Sequence, residues 1–192
     1  VIEIKKRKMN KTISRIRGRL YTLKCRLLGK HIYIGSGLNL SSKLKIFGNG
    51  AVYIGDNCSF GGIQGDSCKY VTIDTHSENA VIRIGNNVSL YATRISSNYE
   101  IIIGNDVLVE DTGILDTDFH SIDKDRGDPI GESYERCKIS IGNNVCIGVN
   151  SLITKGVAIG SNGVVMPGSV VATSIKSDSV IRGNPARPVN PS

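Results

Sequence analysis

The stretch Ile141-Gly-Asn-Asn-Val-Cys-Ile147-Gly-Val-Asn-Ser-Leu-Ile153 places an isoleucine at every sixth position. The same register continues without a break at Ile159, Val165 and Val171. A fixed short period outweighs local propensity and is typical of a repeat architecture. This segment therefore sets the fold from which the rest of the chain is interpreted.

Copies of the block recur towards the N-terminus, where Ile54, Ile84 and Ile103 each precede Gly and then Asn or Asp. In each block one aliphatic side chain points inward and the polar residues turn a corner, because Gly, Asn and Asp tolerate positive φ. Three blocks make one triangular coil of about 18 residues, and stacked coils pair their strands in parallel around a column of Ile and Val. The sequence predicts a parallel β-helix in which nearly every Ile-Gly pair is scaffold.

Composition and charge fit this interpretation. The chain has 192 residues, 22 Gly and no Trp, which suits one domain with a core of small, repeated layers. Its net charge is +7, but residues 1–30 carry eleven Lys or Arg against the single acid Glu3, so this segment is +10 and the remainder about −3. A nucleic-acid-binding body would spread basic and aromatic residues over its folded face, so we expect no nucleic-acid ligand.

The repeat resembles that of the hexapeptide-repeat acyltransferases over residues 31–190, most closely in the last third, which ends in Arg182-Gly-Asn-Pro-Ala-Arg187. Within that family it looks most like sugar, capsule and lipopolysaccharide O-acetyltransferases. The resemblance implies an all-β, left-handed parallel β-helix that forms homotrimers. The expected domains are a basic N-terminal helix or cap (1–30), the β-helix (31–176) with a protruding loop (116–138), and a C-terminal cap and tail (177–192).

The longest break in the repeat lies between Leu115 and Ile139, and its polar, charged composition predicts a projecting loop that holds His120. Transfer of an acetyl group to a hydroxyl needs a base close to the thioester, and a histidine oriented by a carboxylate supplies one. The resemblance makes His120 this general base, and both Asp118 and Asp123 are candidates to orient it. The alternative is a surface-loop histidine among solvating acids.

By the same resemblance, acetyl-CoA is the co-substrate and lies between subunits along the C-terminal coils. Backbone groups at the corners of Val149 and Pro167 would contact the pantetheine arm. Arg182 and Arg187 would contact phosphate or adenine, or else form a solvated cap. Cys146 stands where many members have Trp, so we expect it to line the cofactor site as a smaller wall and not to act as a nucleophile.

The candidates for acceptor binding are Thr93, which the resemblance aligns with an acceptor-binding Asn, and the adjacent Arg94. An arginine that faces the acceptor would favour an anionic sugar. His31, His76 and His120 lie some 45 positions apart, so no pair of imidazoles on one coil is expected and we predict no metal site.

Residues 1–30 contain a helical stripe with spacings of three and four, formed by Ile13, Ile16, Leu20, Leu23 and Leu27. Such a helix can pack its stripe on the first coil and cap the open end of the β-helix, which is the interpretation we favour. It can also make peripheral contact with an anionic membrane surface, and the two roles can coexist. Binding of RNA through this segment is a further alternative.

Together these features predict an O-acetyltransferase that transfers acetyl from acetyl-CoA directly to a hydroxyl of a sugar or polysaccharide. N-acetylation of an amino sugar or antibiotic is one alternative, and a non-catalytic β-helix scaffold is another. Five widely spaced cysteines without a CxxC pair predict a reducing compartment. Without an apolar run of about 20 residues or the pattern of a signal peptide, we expect a cytoplasmic protein, which could lie at the inner face of the membrane.

Overall fold

The computed structural model describes residues 2–28, 31–63, 66, 68–118, 120, 127 and 131–189, and the side chains of α1 from residue 11 onward. A long helix precedes a series of short strands, and a one-turn helix interrupts them. The helices are α1 (Ile2–Leu28) and α2 (Tyr134–Cys137). The strands are β1 (Ile32–Ile34), β2 (Asn39–Leu40), β3 (Leu44–Gly48), β4 (Ala51–Ile54), β5 (Ser59–Gly61), β6 (Val71–Thr75), β7 (Val81–Ile84), β8 (Ser89–Tyr91), β9 (Arg94–Ser97), β10 (Glu100–Ile103), β11 (Leu108–Glu110), β12 (Gly113–Leu115), β13 (Ile139–Ile141), β14 (Cys146–Ile147), β15 (Leu152–Ile153), β16 (Ala158–Ile159), β17 (Val164–Val165), β18 (Val170–Val171), β19 (Val180–Gly183) and β20 (Ala186–Pro188).

Successive strands join three different sheets in turn. Sheet A has the order β1-β4-β7-β10-β13-β16, sheet B the order β2-β5-β8-β11-β14-β17-β19-β20, and sheet C the order β3-β6-β9-β12-β15-β18. Apart from β20 all of these strands pair in parallel, so each turn of the chain adds one strand to each sheet. The predicted parallel β-helix is confirmed.

The core is a set of stacked aliphatic columns, because the register places repeat positions directly above one another. In sheet A, Ile54 pairs with Ile84, Ile84 with Ile103, and Ile103 with Ile141. Each of these side chains is at most 4% exposed. Burial of such columns is the main force that holds the coils together.

The corner between sheets A and B explains why Gly and Asn recur. The second polar residue of the block has φ between 53° and 60° at Asn57, Asn87, Asp106, Asn144, Asn162 and Asp178, as expected. The glycine that opens each corner, two positions before this residue, recurs for a different reason. A β-carbon at Gly85 would lie 2.6 Å from Oδ1 of Asn105 on the next coil, so close stacking and not positive φ requires glycine there. The same oxygen accepts a hydrogen bond from the N–H of Asn86 at 2.7 Å.

Helix α1 covers the N-terminal end of the β-helix, against β1 and β2. The residues that face the coil are the small or polar Ser14 and Gly18 with the half-buried Tyr21 and the buried Cys25. The expectation that the apolar stripe packs on the first coil is therefore wrong. Only small residues let a helix backbone approach the coil this closely, and the stripe is left exposed.

The C-terminal end is closed by a hairpin. Strand β19 extends sheet B in parallel on β17, and β20 turns back to pair with β19 in an antiparallel arrangement. Neither helix in the described part of the chain has an apolar stretch long enough to cross a membrane.

Candidate functional site

The loop that interrupts the repeat begins on a buried carboxylate. Asp116 follows β12 and is fully buried. Its two oxygens accept hydrogen bonds from Oγ of Ser97 at 2.6 Å and from the N–H groups of Asn98 and Tyr99 at 2.7 and 3.0 Å. Burial raises the pKa of Asp116, and these three donors partly offset that effect. Asp116 therefore holds the turn between β9 and β10 at the base of the loop.

A second cluster joins the two limbs of the loop to the next coil. Glu132, on the returning limb, accepts hydrogen bonds from Oγ1 of Thr117 at 2.8 Å and from the N–H of Asp118 at 2.9 Å. Lys155, at the corner between β15 and β16, lies with Nζ 2.5 Å from Oδ2 of Asp118 and 2.9 Å from Oε1 of Glu132. We call Asp118, Glu132 and Lys155 the loop anchor.

The charges of the loop anchor stabilise one another. Burial lowers the pKa of Lys155, but its hydrogen bonds to Asp118 and Glu132 outweigh burial and raise that pKa above its ordinary value. Burial likewise raises the pKa of Glu132, while the hydrogen bond from Lys155, followed by those from Asp118 and Thr117, brings it below its ordinary value. Lys155 and Glu132 therefore both stay ionised at neutral pH.

The predicted base lies beside this anchor. His120 is exposed, and its backbone N–H donates to the Asp118 carbonyl at 2.8 Å. Among the described residues the imidazole has no carboxylate partner, because the Asp118 carboxylate binds Lys155 instead. Asp118 is thus part of the loop anchor and is not seen orienting His120. The other candidate, Asp123, lies outside the described residues.

The returning limb is fixed at two further points. Glu100, at the start of β10, accepts a hydrogen bond from the Tyr134 hydroxyl of α2, and its Oε2 lies 2.7 Å from Nζ of Lys138. Cys137 is buried, and its carbonyl accepts the N–H of Gly156 at 2.9 Å. The loop is therefore fastened to the coils before it and after it.

The structure contradicts the expected role of Thr93. Its side chain is fully buried inside the coil, and its hydroxyl donates to the carbonyls of Tyr91 at 3.2 Å and Val109 at 3.3 Å. A hydroxyl engaged in this way cannot reach an acceptor sugar. Thr93 is a core residue, and the alignment that placed it in the acceptor site is wrong.

Arg94, by contrast, is exposed and lines a surface cavity of about 360 Å³. The ion pair between Lys69 and Asp111, with Nζ and Oδ2 2.5 Å apart, lies at the same cavity. Arg94 begins β9, whereas His120 lies beyond the end of the neighbouring β12. Within one chain the two residues are therefore at opposite ends of the sheet C strands.

Cys146 is half-buried in a column of outward-facing aliphatic side chains on sheet B. The register aligns Leu108, Cys146, Val164 and Val180, and the last two are 36% and 41% exposed. Burial raises the pKa of the Cys146 thiol, and the Glu110 carboxylate adds to the rise. A thiol with a raised pKa is a poor nucleophile.

The corners of Val149 and Pro167 are neighbours on successive coils. The Val149 carbonyl already accepts the N–H of Gly168 at 2.8 Å, and the Pro167 ring stacks so closely on Gly148 that a β-carbon there would lie 2.8 Å from it. Both side chains are exposed. This corner therefore presents apolar surface, and its Val149 carbonyl is already paired with the next coil.

Arg182 and Arg187 face each other across the terminal hairpin, where the register pairs them directly. Both are exposed, and Nη1 of Arg187 donates to the carbonyl of Ala186 at 2.9 Å. The hairpin thus presents two guanidinium groups on adjacent strands. Among the described residues, no group of three His, Cys, Asp or Glu side chains is placed to hold a metal ion.

Two residues of the loop anchor, Glu132 and Lys155, were missed in the sequence. They are 23 positions apart, and only the stacking of coils brings them together. One signal was available, since Lys155 is the only charged residue in 141–171.

The fold defines the class of protein that this chain resembles. AntD, an N-acyltransferase from Bacillus cereus solved with dTDP-4-amino-4,6-dideoxyglucose and coenzyme A, superposes with a TM-score of 0.68 and 17% identity over 87% of each chain. The polySia-specific acetyltransferase NeuO superposes with a TM-score of 0.51 and 22% identity over 82% of this chain and 78% of that one. The chain has the left-handed parallel β-helix fold of the hexapeptide-repeat acyltransferases.

In sequence, the chain is similar to the galactoside O-acetyltransferase of Escherichia coli (strain K12), with 36% identity over 107 residues. The match covers 55% of this chain and 52% of that enzyme, so the chain spans about half the length of the curated relative. No protein-family profile matches the sequence.

Proposed function

We propose that the protein is an acetyl-CoA-dependent O-acetyltransferase that modifies a hydroxyl of a sugar or polysaccharide. The observation that carries this proposal is His120, an exposed imidazole on the long insertion of a hexapeptide-repeat scaffold. The similarity to a galactoside O-acetyltransferase supports the choice of a hydroxyl acceptor.

In this proposal, His120 removes the proton from the acceptor hydroxyl as its oxygen attacks the thioester carbonyl. Collapse of the tetrahedral intermediate breaks the C–S bond, and the CoA thiolate takes the proton back from the imidazolium. The products are the acetyl ester and free CoA. The base returns to its neutral form, so no covalent enzyme intermediate is needed.

The loop anchor supplies the rigidity that this chemistry requires. His120 follows Asp118 by two residues, and Lys155 joins Asp118 and Glu132 to the next coil. A base must be held within hydrogen-bond reach of its proton, and small displacements cost large factors in rate. Lys155 and Glu132 are therefore positioning residues.

We further propose that acetyl-CoA lies along the C-terminal coils between subunits of a homotrimer. The column of Leu108, Cys146, Val164 and Val180 leaves aliphatic surface on sheet B, which favours contact with a second copy. The paired guanidinium groups of the terminal hairpin suit the phosphates of CoA. The Val149 and Pro167 side chains offer apolar contact to the pantetheine arm.

The acceptor is proposed to be a carbohydrate, and the exposed Arg94 favours one that carries negative charge. N-acylation of an amino sugar is a second candidate, favoured by the closeness of the AntD fold. The five cysteines are free, which fits a reducing compartment, and we place the activity in the cytoplasm.

The test is acetyl transfer by the purified protein from labelled acetyl-CoA to a panel of neutral, acidic and amino sugars. His120→Ala should lower kcat by at least about 100-fold while KM for acetyl-CoA changes little. His76→Ala is the matched control, because His76 is also exposed but lies on a coil and not on the loop. This variant should keep full activity. Near-normal turnover in His120→Ala with an unchanged oligomer would refute the assignment of the base.

A further inference from the structure

Helix α1 presents an aliphatic face that nothing in the described structure covers. Its coil-facing side is formed by Ser14, Gly18, Tyr21 and Cys25. At 100° per residue the apolar stripe lies on nearly the opposite side. Its members are between 42% and 74% exposed: Ile13, Ile16, Leu20, Leu23 and Leu27. The helix caps the coil with one face and leaves a continuous apolar face towards solvent.

Basic side chains border both edges of this stripe. On the helical wheel Arg17 and Lys24 follow one edge, and Arg15, Arg19 and Arg26 follow the other. Residues 11–28 contain no Asp or Glu. The apolar face is thus enclosed between two rows of cations, with no acid in residues 11–28 to neutralise them.

The first coil adds to the cationic rim. A cavity of about 720 Å³ lies between α1 and residues 40–45, and its lining includes Lys43 and Lys45 as well as Arg17 and Lys24. A second cavity of about 320 Å³ lies on the other side, with Arg19 and Arg26 among its lining residues. Among the described residues no carboxylate lines the first cavity, whereas at the second the Asp56 carboxylate accepts hydrogen bonds from the N–H and the hydroxyl of Ser36. The first cavity, with four basic side chains in its lining, is therefore suited to an anionic head group.

We propose that α1 docks the protein on an anionic phospholipid bilayer. The aliphatic stripe would enter the acyl boundary, and the basic rows would lie at the level of the lipid phosphates, as in interfacial amphipathic helices. A second copy of α1 fits less well, because the basic rows of the two helices would repel each other and residues 11–28 offer no acid to pair with them. A nucleic acid would bind the cations but leave the aliphatic stripe in water. The bilayer satisfies both features at once.

The test is co-sedimentation of the full chain with vesicles of phosphatidylglycerol and phosphatidylcholine, against vesicles of phosphatidylcholine alone. Wild-type protein should bind the anionic vesicles, bind neutral ones far more weakly, and lose binding as salt is raised. Leu20→Ser with Leu23→Ser should weaken binding by about tenfold or more. Arg15→Gln with Arg19→Gln should weaken binding to the anionic vesicles by about tenfold or more and leave binding to neutral vesicles unchanged.

Two controls separate docking from other effects. Ile63→Ser and Lys176→Gln change an exposed apolar and an exposed basic side chain on the coils and should bind like wild type. Circular dichroism checks that each variant is folded. The proposal is overturned if wild type ignores anionic vesicles, if the stripe variant binds as tightly as wild type, or if that variant dissociates an oligomer in sedimentation velocity. Vesicle binding needs no turnover, so its outcome is independent of the acetyltransferase proposal.

Discussion

Gly18 of α1 lies directly on the backbone of Leu38, so that a β-carbon at Gly18 would be 1.8 Å from the Leu38 carbonyl oxygen. A flexible side chain could move aside at this distance, but a carbonyl in the first coil cannot. The contact sets how closely the helix covers the end of the β-helix.

Gly18→Ala should therefore lower the free energy of unfolding, by about 1–3 kcal/mol. Intrinsic helix propensity predicts the opposite sign, a gain of about 1 kcal/mol, so the direction alone is informative. Denaturant unfolding followed by the helical signal at 222 nm measures the effect. Arg15→Ala, on an exposed position of the same helix, is the control, and a stabilised Gly18→Ala would contradict the packing described here.

Lys155→Met should loosen the loop, because it leaves the carboxylate of Glu132, whose side chain is 3% exposed, beside Asp118 without a cation. We expect a loss of about 1–3 kcal/mol in the free energy of unfolding and faster proteolysis within 116–138. If the loop positions His120, kcat should fall while KM for acetyl-CoA stays constant. Lys176→Met, at an exposed lysine, should change none of these quantities.

The loop anchor should weaken in acid. The pKa of Glu132 is lower in the folded protein than in the unfolded chain, so its stabilising effect is complete above the ordinary glutamate pKa of about 4.3 and is lost as pH falls through the folded value. The difference in free energy of unfolding between wild type and Glu132→Gln should therefore shrink below about pH 4. Glu78→Gln, at an exposed glutamate outside the loop anchor, is the matched control for the substitution itself. A constant difference for Glu132→Gln across this range would contradict the anchor.

Asp116 should change the pH dependence of stability in the opposite sense to Glu132. Its pKa is raised by burial, so the folded protein holds its proton more tightly than the unfolded chain does. Stability from this group therefore declines as pH rises from the ordinary aspartate value of about 3.9 towards the higher folded value. In Asp116→Asn that decline should be absent from the pH profile of the melting temperature. Because the amide presents only one acceptor oxygen to the three donors, the variant should also be less stable by about 1–3 kcal/mol at neutral pH.

Asn144 has a φ of 53°, and its Nδ2 donates to Oδ1 of Asn162 at 2.9 Å. Both Asn144→Ala and Asn144→Gly remove this hydrogen bond, but only alanine is strained in the left-handed region. Asn144→Ala should therefore cost about 1 kcal/mol more than Asn144→Gly. Chemical denaturation of the pair measures this difference, and equal costs would mean that the hydrogen bond alone explains asparagine at this corner.

Arg182→Ala and Arg187→Ala should each raise KM for acetyl-CoA by about tenfold with little change in kcat, if the terminal hairpin binds phosphate as proposed. The effect should be smaller with acetyl-dephospho-CoA, which lacks the 3′-phosphate. If both variants keep the wild-type KM for acetyl-CoA, the hairpin does not bind its phosphates and serves only as a structural cap.

The period of the sequence was sufficient to predict the C-terminal coils, because the register pairs Ile141 with Ile159, Ile147 with Val165 and Ile153 with Val171, as three six-residue blocks per coil require. The face of α1 was not predictable from hydrophobicity. Helix α1 packs on the first coil through Gly18. The close approach of the two backbones, and not the burial of apolar side chains, determines which face of the helix packs. Thr93 was wrongly assigned to the acceptor site because successive side chains of a strand point to opposite faces. An alignment that is shifted by one residue therefore moves a side chain from the outside of a coil to its interior.

The site was only partly predictable for a related reason. A break in the repeat identifies a loop and its histidine, but it does not say which coil holds that loop. Lys155 and Asp118 are 37 positions apart, and they meet because β12 and β15, the strands that precede them, pair on adjacent coils.

The two ends of the β-helix differ from everything between them, and this has a consequence for assembly. A stack of parallel coils has no intrinsic length, and an uncovered terminal strand would template another molecule into a growing fibre. At one end α1 covers the first coil, and at the other β20 reverses direction and places Pro188, which has no N–H to donate, opposite Ile181. The chain thereby covers β1 and β2 at one end and reverses the last strand of sheet B at the other, which disfavours end-to-end addition of further copies.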